Sequence, residues 1–154
     1  MGSQGAAYVT DFGIAKVTDR IRLTGTNDIL GKPGYMSPEQ LMSSGAIGPP
    51  SDVYSAGIVL WEALTGKKLF AGIEQQMVAS IGAIAPSALS AHRPDVPAAL
   101  DALVVRMLAQ DPCARPASAL RCAESLRAIV PPASAVRVAE WMLAYGRERL
   151  DRVE

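Results

Sequence analysis

Two tripeptides near the start of the chain carry side chains suited to chemistry: Asp11-Phe12-Gly13 and, after a 23-residue stretch from Ile14 to Met36, Ser37-Pro38-Glu39. Between them lie the hydroxyls of Thr18, Thr24 and Thr26. Carboxylate oxygen is the hard donor that a magnesium-type cation takes, and a threonine hydroxyl is a place where phosphate can be added. Taken singly, Asp11-Phe12-Gly13 also suits a plain turn after a strand, with glycine supplying φ > 0 and aspartate capping the loop. Sulfur and imidazole offer less. Cys113 and Cys122 stand nine apart with no second pair, and His92 is the only histidine, so neither a disulfide framework nor a zinc site is indicated.

In this order and at this spacing, the two tripeptides resemble the second half of the protein-kinase signature, and residues 6 to 130 are similar to the C-terminal lobe of bacterial-type serine/threonine protein kinases. The resemblance implies ATP-dependent phosphoryl transfer to protein Ser/Thr in the full-length enzyme, with Mg²⁺ and ATP as the family's cofactors. It makes Asp11 the Mg²⁺ ligand and Phe12, ahead of Gly13, the residue whose packing sets active or inactive geometry. Ser37, in place of the family's alanine, resembles with Pro38 and Glu39 the close of an activation segment spanning residues 11–39. Glu39 is then expected to pair with Arg115, found in Asp111-Pro112-Cys113-Ala114-Arg115-Pro116. Such a pair would be bidentate and, if buried, would do more to fix the segment than to add net stability.

Further residues follow from the same likeness. Asp52 opens Asp52-Val53-Tyr54-Ser55-Ala56-Gly57-Ile58, similar to the start of the family's central helix, where the aspartate bonds the backbone of the catalytic loop; capping its own helix is the other role open to it. Thr24 and Thr26 are placed like the autophosphorylation sites of bacterial relatives, with Arg20 and Arg22 as nearby cations; ordinary polar loop threonines are the alternative. Lys32 stands where many members carry a threonine that helps receive the substrate. Only ten residues precede Asp11, too few for a glycine-rich loop, a phosphate-pairing lysine or an H-R-D-L-x-x-x-N loop.

The elements expected to hold these residues are mostly helical. Residues 6–10 suit a short strand that delivers Asp11, and 14–36 read as loop. Pro38 can open a short helix through Met42. Asp52 to Leu64 is the strongest helix, with Ser51 as expected N-cap and Gly66 as stop; its apolar residues spread around most of the circumference, which predicts a buried central position. Ile73, Met77, Val78 and Ile81 share one helical face, as do Leu100, Leu103, Val104, Met107 and Leu108, and likewise Leu120, Ala123, Leu126 and Ile129. The fold class is therefore mainly α, a partial kinase-like C-lobe bundle with a short N-terminal strand and an activation-segment loop. Pro131-Pro132 marks a boundary, so residues 1–130 form the lobe and 131–154 an amphipathic helix or linker. Ser134 can cap that helix, and its Val138, Trp141, Met142 and Tyr145 face is expected to fold back on the bundle or to dock a partner.

Composition bounds the rest. With 49% hydrophobic and 19% charged residues, 154 residues suit one globular domain. Fifteen basic and fifteen acidic residues cancel, and no basic stripe suggests nucleic acid. No segment reads as a secretory signal or a membrane span, and a reducing, cytoplasmic setting is expected. The sequence favours a C-lobe fragment of a Ser/Thr kinase, inactive as an isolated chain and binding neither Mg²⁺ nor ATP tightly. A non-catalytic, pseudokinase-like interaction module is the alternative, and a split enzyme completed by a separate N-lobe is the third reading. Partners would be a protein substrate or the missing N-lobe; uncovered helix faces also suggest self-association.

Overall fold

A computed structural model describes residues 33–42, 47–70 and 87–150, with side chains as far as Tyr145. The expected strand at 6–10, the DFG-type loop and the helical face at 73–81 lie outside the described residues. Those described are mainly helical, without a strand among them. They fall into two compact units that divide between Val130 and Pro131.

In the larger unit, Pro33–Tyr35 form a 3-10 turn and lead into α1, Pro38–Met42. Helix α2 runs from Pro49 to Thr65, three residues earlier than expected, because Pro49 and Pro50 take the first helical positions, where no N–H partner is needed. The N-cap is Gly48, which corrects the assignment to Ser51: the latter lies inside the first turn, with its N–H on the Gly48 carbonyl at 2.8 Å. Asp52 does not cap the helix either. It is exposed in the first turn, where its charge still suits the positive helix end. At the other end Gly66 adopts φ 68°, the left-handed conformation that glycine takes without strain, and its N–H closes on the Glu62 carbonyl at 2.8 Å.

Helix α3, Ala98–Met107, packs against α2 through Leu100, Leu103, Val104 and Met107, with Leu108 just beyond. Close approach is possible because Gly57 has no side chain: a Cβ there would meet the Met107 Cβ at 3.0 Å and the Leu108 Cδ2 at 3.1 Å. Tyr54, Ile58 and Trp61 of α2 join Phe70, Leu89, Leu100, Val104 and Leu108 in the main core, and Val53, Leu103 and Met107 form a second cluster. Leu60, Leu126 and Ile129 pack against both. Each fully buried apolar side chain contributes roughly 1.5–3 kcal/mol, well above a helix-propensity difference, so packing rather than propensity fixes these helices. Burial of α2 is broad but not all-round, since Val59 remains 55% exposed. Helix α4, Ala119–Ile129, starts at Ser118, whose side chain accepts from the Arg121 N–H. Leu120 of its expected apolar face is exposed in the first turn, while Cys122, Leu126 and Ile129 carry the contact. Trp61 donates from Nε1 to the Ser87 carbonyl at 2.9 Å, and Asp101 holds the Leu89 N–H at 2.7 Å, which together fix the 3-10 turn Leu89–Ala91.

The second unit contains α5, Ala135–Leu150, with Ser134 accepting from the Arg137 N–H at 3.3 Å. Trp141 and Tyr145 stack at 5.3 Å, and both are exposed, as is Leu143. Val138 and Met142, which share the expected apolar face with Trp141 and Tyr145, are half-buried.

Candidate functional site

The end of the proposed activation segment is held by one guanidinium. Arg115 follows the 3-10 turn Pro112–Ala114, which Asp111 caps by accepting from the Cys113 N–H at 2.8 Å. From there its side chain reaches α1. Nη1 donates to Glu39 Oε1 at 2.7 Å and Nη2 to Oε2 at 2.9 Å, a bidentate pair across 76 residues. Nη1 also reaches the Pro50 carbonyl at 3.0 Å, Nη2 the Gln110 carbonyl at 2.9 Å, and Nε the Ala109 carbonyl at 2.7 Å. All five guanidinium N–H donors are thus used. The Arg115 side chain is 0% exposed and that of Glu39 6%, and the guanidinium carbon lies 4.7 Å from the centre of the Tyr54 ring.

Ser51 completes the arrangement by donating its hydroxyl to Glu39 Oε1 at 2.7 Å. Burial alone would raise the Glu39 carboxyl, but the hydrogen bonds from Arg115 and Ser51 outweigh it and hold its pKa at about 2. Burial also pushes the Tyr54 phenol up to about 12, a rise that the Arg115 charge opposes and the Glu39 charge reinforces. Glu39 is therefore ionised and Tyr54 neutral at ordinary pH. With all five guanidinium donors, the Ser51 hydroxyl and both carboxylate oxygens engaged, the Glu39–Arg115 pair is a clasp.

Ser37 shows what replaces the family's alanine. It is 0% exposed, and the Gln40 side chain accepts from its N–H at 2.9 Å and from its hydroxyl at 3.1 Å. This is the backward half of an S-x-x-Q capping box, with Pro38 at the first helical position and buried.

A second cluster holds the residues just before it. The Tyr35 hydroxyl donates to Glu62 Oε2 at 2.8 Å, its carbonyl accepts from the Ser55 hydroxyl at 2.7 Å, and Lys68 hydrogen-bonds both the Tyr35 hydroxyl and Glu62 Oε2, the latter at 2.9 Å. Burial works to raise the Glu62 carboxyl, yet the bonds from Lys68, Tyr35 and the Leu69 N–H leave it lowered. Sequence reasoning missed this cluster, as it missed Ser51 and Tyr54 around the clasp; the S-x-x-Q spacing, by contrast, was readable.

Of the residues singled out from the sequence, the structure brings Glu39 and Arg115 together and places Ser37 and Pro38 beside them. Asp52 stays apart and exposed. Asp11, Phe12, Gly13, Thr24 and Thr26 lie outside the described residues. Among the described residues no group of three or more His, Cys, Asp or Glu gathers. Cys113 and Cys122 are both free, and no helix among the described residues is long and apolar enough to cross a membrane.

Comparison with known proteins bears on the same region. The family model described as protein kinase domain matches residues 1–126. The chain is 40% identical over 113 residues to the "Probable serine/threonine-protein kinase PknB" of Lactococcus lactis, covering 72% of this chain and 18% of that protein. It is 39% identical over 110 residues to the serine/threonine-protein kinase PrkC of Bacillus subtilis, covering 70% and 17%. Against the serine/threonine-protein kinase PknL of Mycobacterium tuberculosis it is 36% identical over 131 residues, covering 84% and 32%. The chain thus spans between about a sixth and a third of the length of these relatives. With a clasp joining the Ser37-Pro38-Glu39 turn to Arg115, a helical body around α2 and these matches, the chain belongs to the protein kinase domain family, among its bacterial serine/threonine-type members.

Proposed function

We propose that these residues form the activation-segment end and helical floor of a Ser/Thr protein kinase, which in its full length transfers phosphate from ATP to protein Ser/Thr. The observation that carries the reading is the Glu39–Arg115 clasp, a buried device that anchors the Ser37-Pro38-Glu39 end of the segment to α2 and to the turn after α3. Phosphoryl transfer depends on positioning and on stabilising charge. The 154 residues contain Asp11 as a candidate Mg²⁺ ligand but no H-R-D-x-x-x-x-N sequence. The contributions of missing parts do not substitute for one another. The 154-residue polypeptide by itself therefore neither transfers phosphate nor holds ATP with millimolar affinity. A protein substrate and a segment supplying the catalytic loop are the partners this reading requires, and self-association of the isolated chain follows from any face that such a segment would cover.

The test is transfer of ³²P from ATP in the presence of Mg²⁺, measured for the 154-residue chain and for the same residues extended upstream by their own coding sequence. The extended protein is expected to label a protein substrate, and the short chain to be silent. Labelling by the short chain that Asp11→Ala abolishes, or a silent extended protein, would overturn the proposal. The exposed Trp141 and Tyr145 favour the second reading, a pseudokinase-like interaction module. An extended sequence with neither the upstream lysine nor the catalytic aspartate would decide for it.

A further inference from the structure

The residues preceding the clasp are held by a device of their own. Glu62 lies one turn before the end of α2, its side chain is 14% exposed, and its carboxylate receives three donors from two directions. The Tyr35 hydroxyl comes from the turn ahead of Ser37-Pro38-Glu39. Lys68 Nζ at 2.9 Å and the Leu69 N–H at 3.1 Å come from the chain that leaves α2 after Gly66. Lys68 closes the triangle by bonding the Tyr35 hydroxyl and standing 4.9 Å from the centre of the Tyr35 ring.

A pair of exposed charges alone would be worth little, since long side chains must be ordered and solvent screens them. Here the carboxylate is mostly withdrawn from water, so its charge must be compensated by whatever is near. Lys68 is the cation that does so. Two of the three donors on Glu62 need no ammonium, but both are neutral dipoles, and without Lys68 the carboxylate gains by turning toward water. Tyr35 would lose its acceptor in that movement, and with it the tie that holds the Pro33–Tyr35 turn at its outer end.

We propose that Lys68 is a positioning residue for the end of the activation segment, acting through Glu62 on Tyr35. The inference rests on the reading above only for what that segment does; the coupling itself is a property of the 154-residue chain. Its consequence is that the turn after α2 and the segment before the clasp move together, although 33 residues separate Lys68 from Tyr35.

Hydrogen exchange on the 154-residue chain, without ATP, tests the coupling independently of any kinase activity. The Met36, Gln40 and Leu41 amides, which bond back to Pro33 and Ser37, report the segment, and the amides of α3 report the body. In Lys68→Ala the segment amides are expected to exchange roughly two- to fivefold faster, the scale of a modest ion-pair loss, with α3 unchanged. Lys68→Arg should restore the wild-type rates, because a guanidinium reaches the same two oxygens. In a Tyr35→Phe background, where the hydroxyl is already absent, Lys68→Ala should add little. Unchanged segment exchange in Lys68→Ala, equal acceleration in α3, failure of the arginine to rescue, or fully additive effects would each overturn the inference. A silent extended kinase would sink the functional proposal and leave this result standing.

Discussion

Removal of Arg115 should strike the fold harder than any other single polar change among the described residues. Arg115→Ala leaves the Glu39 carboxylate, 6% exposed, without its cation, and takes the donor from the carbonyls of Pro50, Ala109 and Gln110. Breaking a buried pair from one side costs about 3–5 kcal/mol, against about 5–15 kcal/mol for a whole domain. The Arg115→Met/Glu39→Leu double variant removes the stranded charge and should be less destabilised than Arg115→Ala, leaving mainly the hydrogen bonds lost from the three carbonyls, about 0.5–1.5 kcal/mol each. The pH dependence carries a sign. Glu39 is held at about 2 against an ordinary 4.5, so its contribution is complete above pH 4.5 and is lost as the pH falls toward 2, at most roughly 3 kcal/mol in all. In Arg115→Ala that gain is gone, so the deficit is largest near neutrality and narrows in acid. Urea unfolding followed by circular dichroism at pH 7 and pH 3 measures it. An Arg115→Ala deficit below about 1 kcal/mol, or one that stays constant from pH 7 to pH 3, would refute the reasoning.

Gly57→Ala gains helix propensity of about 1 kcal/mol but drives a methyl against the Met107 Cβ, which is fixed to the α3 backbone, so the net effect expected in thermal unfolding is a loss of about 1–2 kcal/mol. A Tm equal to wild type would mean that α2 and α3 lie further apart. Gly66→Ala has open space for its methyl yet must hold φ 68°, so it should cost about 1 kcal/mol from conformation alone. Gly66→Asn should cost less, which the same melt would show.

What could be read from the chain alone divides by the kind of signal. The α3 face of Leu100, Leu103, Val104, Met107 and Leu108 is legible because a 3.6-residue period maps directly onto burial, and all five are buried. The same rule overreached in α4, where Leu120, in the first turn, is 64% exposed. The start of α2 was misplaced by favouring Ser51 as a cap over Pro49-Pro50, although proline at the first helical positions marks the start of α1 as well. The Glu39–Arg115 pairing was legible only because each residue stands in a recognisable motif; nothing in periodicity links positions 76 apart. Tyr35, Glu62 and Lys68 lack motif and period alike, so only coordinates bring them together.

The choice of arginine at 115 follows from the number of acceptors around it. The carbonyls of Ala109 and Gln110, just past the end of α3, and that of Pro50, in the first turn of α2, all accept from this one side chain. Two carboxylate oxygens of Glu39 complete a set of five acceptors spread around a plane. A lysine ammonium offers three donors from a single point and cannot serve five directions, whereas a guanidinium offers five in a fixed fork and presents a flat face to Tyr54. The clasp therefore joins the segment end to α2 and to the turn after α3 at one rigid node, and for that reason the position of Glu39 follows the body of the fold rather than the loop that precedes it.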